Sequence, residues 1–198
     1  MSAPGRPLAI DLFCGLGGWT EGFLANSYDV VGFDIERRPY RAQLVLQDVL
    51  TLHGSQFRKA AVIVASPPCQ QYSYRAMPWK RVRELPPPDN SLFEACFRIR
   101  EEASQAAGRY IPLIIENVRG AQRWVGRAAW HYDSYYLWGD VPALMPFPVD
   151  GRKGFKPRFE DTDFARFYST TPERKAAVAK LSKIPFPLAD HIARVHLP

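Results

Sequence analysis

Three stretches of this sequence carry residue types whose order and spacing could do chemistry. The first is Asp11-Leu12-Phe13-Cys14-Gly15-Leu16-Gly17-Gly18, which begins inside an apolar run, Leu8–Phe13. Glycines directly after a buried strand let the backbone come close to a ligand at the carboxyl edge of a sheet. Asp34 closes the next apolar run, about 20 residues on, where an acid can accept hydrogen bonds from ribose hydroxyls. The glycines read G-x-G-G and not G-x-G-x-x-G, so the pair points to a nucleotide-like cofactor; a tight turn without a ligand is the alternative. The second stretch is Ser66-Pro67-Pro68-Cys69-Gln70-Gln71-Tyr72-Ser73. A cysteine just past a strand end, held by prolines of fixed φ, is placed as a nucleophile. Its reactive form is the thiolate, which nearby positive charge favours. The alternative is a structural cysteine, the role expected of Cys96 on a helical apolar face. The third stretch is Glu116-Asn117-Val118, at another strand end. Glu116 is a general acid if burial raises its pKa, and a solvated loop acid if not.

These residues need elements to hold them. Tyr28–Phe33, Leu44–Val49, Ala60–Ala65 and Tyr110–Ile115 join Leu8–Phe13 as expected buried strands, of which AAVIVA at Ala60–Ala65 is the clearest. Helices are expected over Trp19–Leu24 and, from the spacing of Leu92, Ala95, Cys96 and Ile99, over Leu92–Ala107. Strands alternating with helices predict an α/β fold with a mostly parallel sheet. Gln70–Asn90 is a long connection containing Pro86-Pro87-Pro88 and four basic residues, Arg75, Lys80, Arg81 and Arg83, and a connection of that length without secondary structure is usually functional or mobile. From Pro146 to about Thr171 the chain is irregular again; Pro172 opens a helix through Ala179, and Leu188–Val195 resumes a helical pattern. Arg119, Arg123 and Arg127 fall at i, i+4 and i+8, so a continuous helix would put them on one face, either as a phosphate-contacting stripe or as a solvated face. Trp124, Trp130 and Trp138 are expected in the core, and His53, His131, His191 and His196 at the surface or in caps.

Composition sets the outer limits. At 198 residues, 46% hydrophobic and 23% charged, the chain suits a single globular domain and not a disordered one. No apolar run approaches the ~20 residues that span a bilayer, and Met1–Phe13 lacks a separate signal-peptide core, so the expected compartment is the cytoplasm. Three cysteines without metal-ligand spacing argue against disulfides and against a zinc site. The formal charge of +6 fits nucleic acid as a partner.

Taken together, the three stretches resemble the motifs of the cytosine-C5 DNA methyltransferase family. DLFCGLGG is similar to its first motif, PPCQQYS to its nucleophile motif and ENV to its glutamate motif; Ser91-Leu92-Phe93 and Ser182-Lys183-Ile184-Pro185-Phe186-Pro187-Leu188-Ala189 resemble two further segments. The resemblance runs in order from about residue 8 to 195, thinly between 120 and 180. It implies one Rossmann-like, S-adenosylmethionine-dependent methyltransferase domain over residues 1–198, a mostly parallel sheet flanked by helices, with a closing segment at 181–195 that returns to the cofactor. It further implies S-adenosylmethionine contacts from Phe13, Cys14, Gly15, Leu16, Gly17 and Gly18, from Asp34, Ile35, Asp48 and Val49, and from Pro68, Leu92 and Ser182. By the same resemblance Cys69 attacks C6 of a cytosine flipped out of DNA while Glu116 engages N3, and C5 receives the methyl group. Gln70, Ser73, Arg75, Lys80, Arg81, Arg83, Arg119 and Arg158 are the implied substrate and DNA contacts, and Asn117 an orienting residue. The sequence departs from the pattern in three places. The Gln-x-Arg-x-Arg that usually follows the glutamate motif is absent, with Tyr135–Gly139 in that region and Arg119, Arg152 or Arg158 as substitutes. Ser182 stands where Asn is usual. The target-recognition region is missing or reduced to about Phe147–Thr171. The short recognition region leaves open single-stranded nucleic acid or a free cytosine nucleotide as substrate and a protein partner that supplies specificity; the absent arginine motif and Ser182 leave open a non-catalytic DNA-binding subunit, against which intact Cys69 and Glu116 argue.

Overall fold

β1 (Leu8–Leu12) starts the chain in the middle of a seven-stranded sheet. The computed structural model describes residues 5–73, 86–146, 179–180 and 182–198, and structural statements concern those residues. α1 (Gly18–Ala25) leads to β2 (Asp29–Asp34), and a connection without a helix leads to β3 (Gln43–Leu46). β4 (Ala60–Ala65) lies on the other side of β1; α2 (Ser91–Ala107) precedes β5 (Leu113–Asn117). A one-turn helix α3 (Gln122–Val125), the hairpin β6 (Trp130–Tyr132) and β7 (Tyr135–Gly139), and α4 (Phe186–Val195) complete the described elements. The strand order is β3-β2-β1-β4-β5-β7-β6, parallel through β5, with β7 antiparallel to β5 and to β6. The expected mostly parallel α/β sheet is therefore present.

The chain winds outward from β1 to β3 and restarts at β4, so the order reverses between β1 and β4. In open parallel sheets this reversal makes a crevice beyond the carboxyl ends of the strands. Alternation along each strand sends side chains to two cores. Ile10, Leu12, Ile63, Ala65, Leu113 and Ile115 pack toward α2, while Ala9, Val62, Val64 and Ile114 share a cluster with residues of α1 and α4. α4 sits so close on α1 that a Cβ at Gly22 would stand 2.3 Å from the Ala189 carbonyl carbon. Asn26 pins the pair by donating to Gly22 O and to Asp190 Oδ1, and Tyr28 donates to Ala193 O.

Several expected boundaries move. The third strand ends at Leu46, because Asp48 caps a 3-10 turn over Val49–Thr51, its carboxylate accepting from Leu50 N at 2.9 Å. The fifth begins at Leu113 and not Tyr110: Pro112 has no N–H to give to the ladder, and only its carbonyl bonds, accepting from Ile63 N. Glu116 and Asn117 thus belong to the strand. The continuous arginine face does not form, since Arg119 lies in a 3-10 turn, Arg123 in α3, and Gly126 with φ +90° stops the helix before Arg127. Trp138 is buried and Trp124 packs against the core, whereas Trp130 is 36% exposed. The helix expected to open at Pro172 lies outside the described residues apart from its end at Ala179-Lys180.

Parallel neighbours normally need a crossover of about a dozen residues, usually a helix. Between β2 and β3 only residues 35–42 intervene, and Tyr40 does the packing. Its hydroxyl reaches the space above Gly32, where a Cβ would stand 2.3 Å from it. That hydroxyl bonds Thr20 and donates to Asp11, whose carboxylate also accepts from Thr20 at 2.7 Å. No helix among the described residues is long and apolar enough to cross a membrane.

Candidate active site

The carboxyl ends of β1, β2, β4 and β5 open into one cavity of about 1600 Å³. On its β1–β2 side the chain leaves β1 through Phe13, whose φ of +57° is a costly conformation for a bulky residue, and enters α1 through Gly17 at φ +73°. Asp34 at the end of β2 braces this turn: Oδ2 accepts from Gly15 N at 2.9 Å, and Oδ1 from Glu36 N at 2.9 Å. Ile35, 73% exposed, and Leu50, 46% exposed, give this side apolar surface beside the Asp34 and Asp48 carboxylates. Glycine backbone, two carboxylates and apolar side chains make a donor set that fits a nucleoside with ribose hydroxyls. Among the described residues no group of His, Cys, Asp or Glu is arranged to hold a metal ion.

On the β4–β5 side, Cys69 follows Ser66-Pro67-Pro68 out of β4. Three contacts fix its loop. Asn117, buried at the end of β5, donates to Pro67 O at 2.9 Å; Tyr72 N donates to Cys69 O; and Tyr72 Oη donates to Asn90 Oδ1 at the start of α2. The turn after β5 passes so near that a Cβ at Gly120 would stand 2.1 Å from Tyr72 O. The loop is therefore a rigid mount for the half-buried Cys69 thiol, which faces the cavity.

Glu116 lies one residue past the pairing of Ala65 with Ile115 and lines the same cavity. Burial pushes its carboxyl up from 4.5 to about 8, partly opposed by a hydrogen bond from the Ser66 side chain. Glu116 is thus a half-buried acid that carries its proton at neutral pH, which a solvated loop acid would not. Burial, and after it the charge of Glu116, pushes the Cys69 thiol up, opposed only by a backbone hydrogen bond. No described cation supplies the positive charge expected to favour the thiolate, and the basic loop residues lie outside the described residues. Below about pH 8 Glu116 is neutral, and its part in raising Cys69 disappears.

A family model for the C-5 cytosine-specific DNA methylases matches residues 8–124. The chain belongs to this family. No curated protein matches it. Among solved structures it is similar to an E. coli prophage protein described as a DNA modification methyltransferase, at 23% identity over 61% of this chain and 34% of that one, with a TM-score of 0.44. S. pombe Dnmt2 methyltransferase is similar at 17% identity over 59% and 36%, with a TM-score of 0.41. The antibiotic-resistance methyltransferase Kmr covers more, at 16% identity over 88% and 77%, with a TM-score of 0.34. The chain spans about a third of the length of the first two.

For a C-5 cytosine-specific DNA methylase, the cavity gathers most residues singled out by sequence. Phe13, Cys14, Gly15, Leu16 and Gly18 line it from the first turn, and Asp34, Ile35, Asp48 and Val49 from β2 and the turn after β3. Pro68, Cys69, Gln70 and Ser73 line it from the β4 loop; Leu92, Glu116, Arg119 and Ser182 close the ring. Gly17 and Asn117 do not line it: Gly17 is packed under Tyr40, and Asn117 spends its side chain on Pro67 O and Val118 N, so it orients the loop. Arg75, Lys80, Arg81, Arg83, Arg152 and Arg158 lie outside the described residues. The structure adds Trp19, Ser66, Arg123, Tyr135 and Lys183 to the lining. Lys183 pairs with Glu21 at 2.6 Å and ties the closing segment to α1.

Proposed function

We propose that this chain transfers a methyl group from S-adenosylmethionine to C5 of cytosine in DNA through a covalent adduct on Cys69. The observation that supports this reading best is the convergence of a rigidly mounted cysteine and a proton-bearing glutamate in the cavity that also holds the glycine turn. The Gly15–Gly18 backbone, Asp34, Ile35, Asp48 and Val49 would hold the cofactor, with Asp34 and Asp48 as hydrogen-bond acceptors and Ile35 as apolar cover. When bound, S-adenosylmethionine supplies the electrophilic methyl group that C5 takes.

The residues of the chain prepare C5 for that transfer. Cys69 Sγ, as thiolate, forms a bond to C6, and the proton of Glu116 passes to N3, so the electron pair released by attack resides on C5. After methylation the C5 proton leaves to a base, the C6–S bond breaks, and Glu116 recovers its proton from N3. Thiolate formation at Cys69 has to be favoured on substrate binding, since burial opposes it in the free chain. In a duplex the cytosine must leave the stack to meet Sγ, at a cost of a few kcal/mol. Phe147–Thr171 is too short for an extensive reading surface, so we assign sequence recognition to that segment together with a protein partner.

Labelled S-adenosylmethionine offered with duplex, single-stranded and mononucleotide cytosine substrates tests the reading. The expected result is 5-methylcytosine in duplex DNA, a trapped adduct on a 5-fluorocytosine duplex, and neither with Cys69→Ser. Transfer only to single strands or to a nucleotide would reassign the substrate, and a wild-type chain that binds DNA with no transfer and no adduct would overturn the enzyme reading.

A further inference from the structure

Trp19 stands in the first turn of α1, 2% exposed in the core between α1, α4 and the sheet. Its indole N–H donates to Ser66 Oγ, at 3.0 Å. An indole nitrogen can only donate, so this bond occupies a lone pair of the Ser66 oxygen and leaves the hydroxyl hydrogen to find another acceptor. Ser66 directly follows Ala65, which pairs with Ile115, and Glu116 directly follows Ile115. Parallel register thus places Ser66 and Glu116 side by side, and strand alternation sends both toward the face that α1 covers. The neighbouring Ser66 hydroxyl holds the Glu116 carboxyl below the value that burial alone would give it.

We propose that Trp19 and Ser66 form a positioning relay that orients the Glu116 carboxylate and sets the pH at which it holds its proton. Trp19 turns the hydroxyl, the hydroxyl donates to one oxygen of Glu116, and the acid proton is left on the other oxygen, on the cavity side. The catalytic meaning of the relay rests on the methyltransferase reading above; its geometry does not.

The relay acts against burial, which favours the neutral acid, because a donor aimed at the carboxylate favours the anion. Other groups around Glu116 come from three elements. Cys69 faces it from the β4 loop and Tyr135 from β7, both of which its charge pushes upward. Arg119 beyond β5 and Lys183 from the closing segment line the same cavity, as do Arg123 and Asp133. Among the described residues, Ser66 is the one group that draws Glu116 toward ionisation. Removing its hydroxyl therefore leaves burial unopposed.

The test is a carbon-13 titration of the chain labelled at glutamate Cδ, with the Glu116 signal assigned by its loss in Glu116→Gln, beside a kcat/KM pH profile of methyl transfer. Ser66→Ala should raise the Glu116 midpoint, strengthening proton binding on the order of three- to tenfold, and should move the alkaline limb of kcat/KM with it. Trp19→Phe, which keeps a ring and removes the N–H, should move both in the same direction by less, and Ser66→Thr should restore both. An unmoved midpoint in a folded Ser66→Ala overturns the relay. A moved midpoint with an unmoved pH profile overturns its catalytic meaning. A moved midpoint in a chain whose wild type transfers no methyl group leaves the relay standing and removes the methyltransferase reading instead.

Discussion

Glu116→Gln should make the protein more stable, and by an amount that depends on pH. In the unfolded chain Glu116 loses its proton near 4.5; in the folded chain burial holds it to about 8. Between those values the folded state binds more protons than the unfolded state, so stability falls as pH rises. Below 4.5 both states are protonated and the contribution is at its most favourable. At about 1.4 kcal/mol per pH unit, the penalty reaches a ceiling of about 3 kcal/mol at pH 7 and about 4–5 kcal/mol above pH 8. Glutamine copies the neutral acid and never ionises, so it escapes this penalty. The cavity side of Glu116 is open, and water there solvates the anion. The expected gain is therefore about 1–3 kcal/mol at pH 8, or roughly 2–12 °C in Tm for a chain of this size.

Urea denaturation of both proteins at pH 4, 6 and 8 is the assay. Asp11, which burial pushes up to about 7, tilts both stability curves in the same direction and cancels in their difference. The difference should be near zero at pH 4 and grow steadily toward pH 8. A difference that is flat with pH, or a Gln variant less stable at pH 8, would refute the reasoning that burial holds this carboxyl neutral.

Gly120→Ala puts a Cβ 2.1 Å from Tyr72 O, a backbone atom that moves only with the Cys69 loop; methyl transfer should fall at least about tenfold while calorimetric cofactor affinity stays within about twofold,. Gly32→Ala should expel Tyr40 and weaken cofactor binding, and adding Tyr40→Ala should cost less than the two single changes combined in a double-mutant cycle read by calorimetry. Asp34→Ala removes the acceptor of both Gly15 N–H and Glu36 N–H, and should weaken cofactor binding by about 1–3 kcal/mol. If the basic residues contact phosphates, DNA affinity should fall steeply between low and physiological salt in a titration; a flat response would favour a free nucleotide as substrate.

The parallel sheet was readable in advance because buried parallel strands are continuous apolar runs ended abruptly by Gly, Pro or Asp, as in AAVIVA before Ser66-Pro67. The chemistry at strand ends was readable for the same reason: Gly15, Cys69 and Glu116 each follow such a run. The boundary errors came from local effects that outweigh apolarity. Asp48 competes for the backbone as a cap and shortens β3, and Pro112 withholds an N–H and delays β5. The arginine spacing implied a face only if the helix continued, and Gly126 stops it. Trp19, Ser66 and Lys183 were not legible as site residues, because their roles depend on partners 47 to 162 positions away.

Those distant partners explain why the C-terminal helix matters to a cavity built by the first two-thirds of the chain. α4 has no strand to pair with, and its seat on α1 depends on a small residue at Gly22 and on Asn26 reaching Asp190. Where α4 begins, Ile184 rests on Gly18 and Lys183 pairs with Glu21, so the closing segment is held against the first turn of α1. That turn also carries Trp19, whose N–H reaches Ser66 and through it Glu116. Any shift of α4 along α1 would thus be felt at three places at once: the glycine turn, the cavity wall at Ser182, and the orientation of the acid. A large side chain at position 22 should therefore reduce cofactor affinity and raise the Glu116 midpoint together. A purely structural role for α4 predicts lower stability with both site properties unchanged.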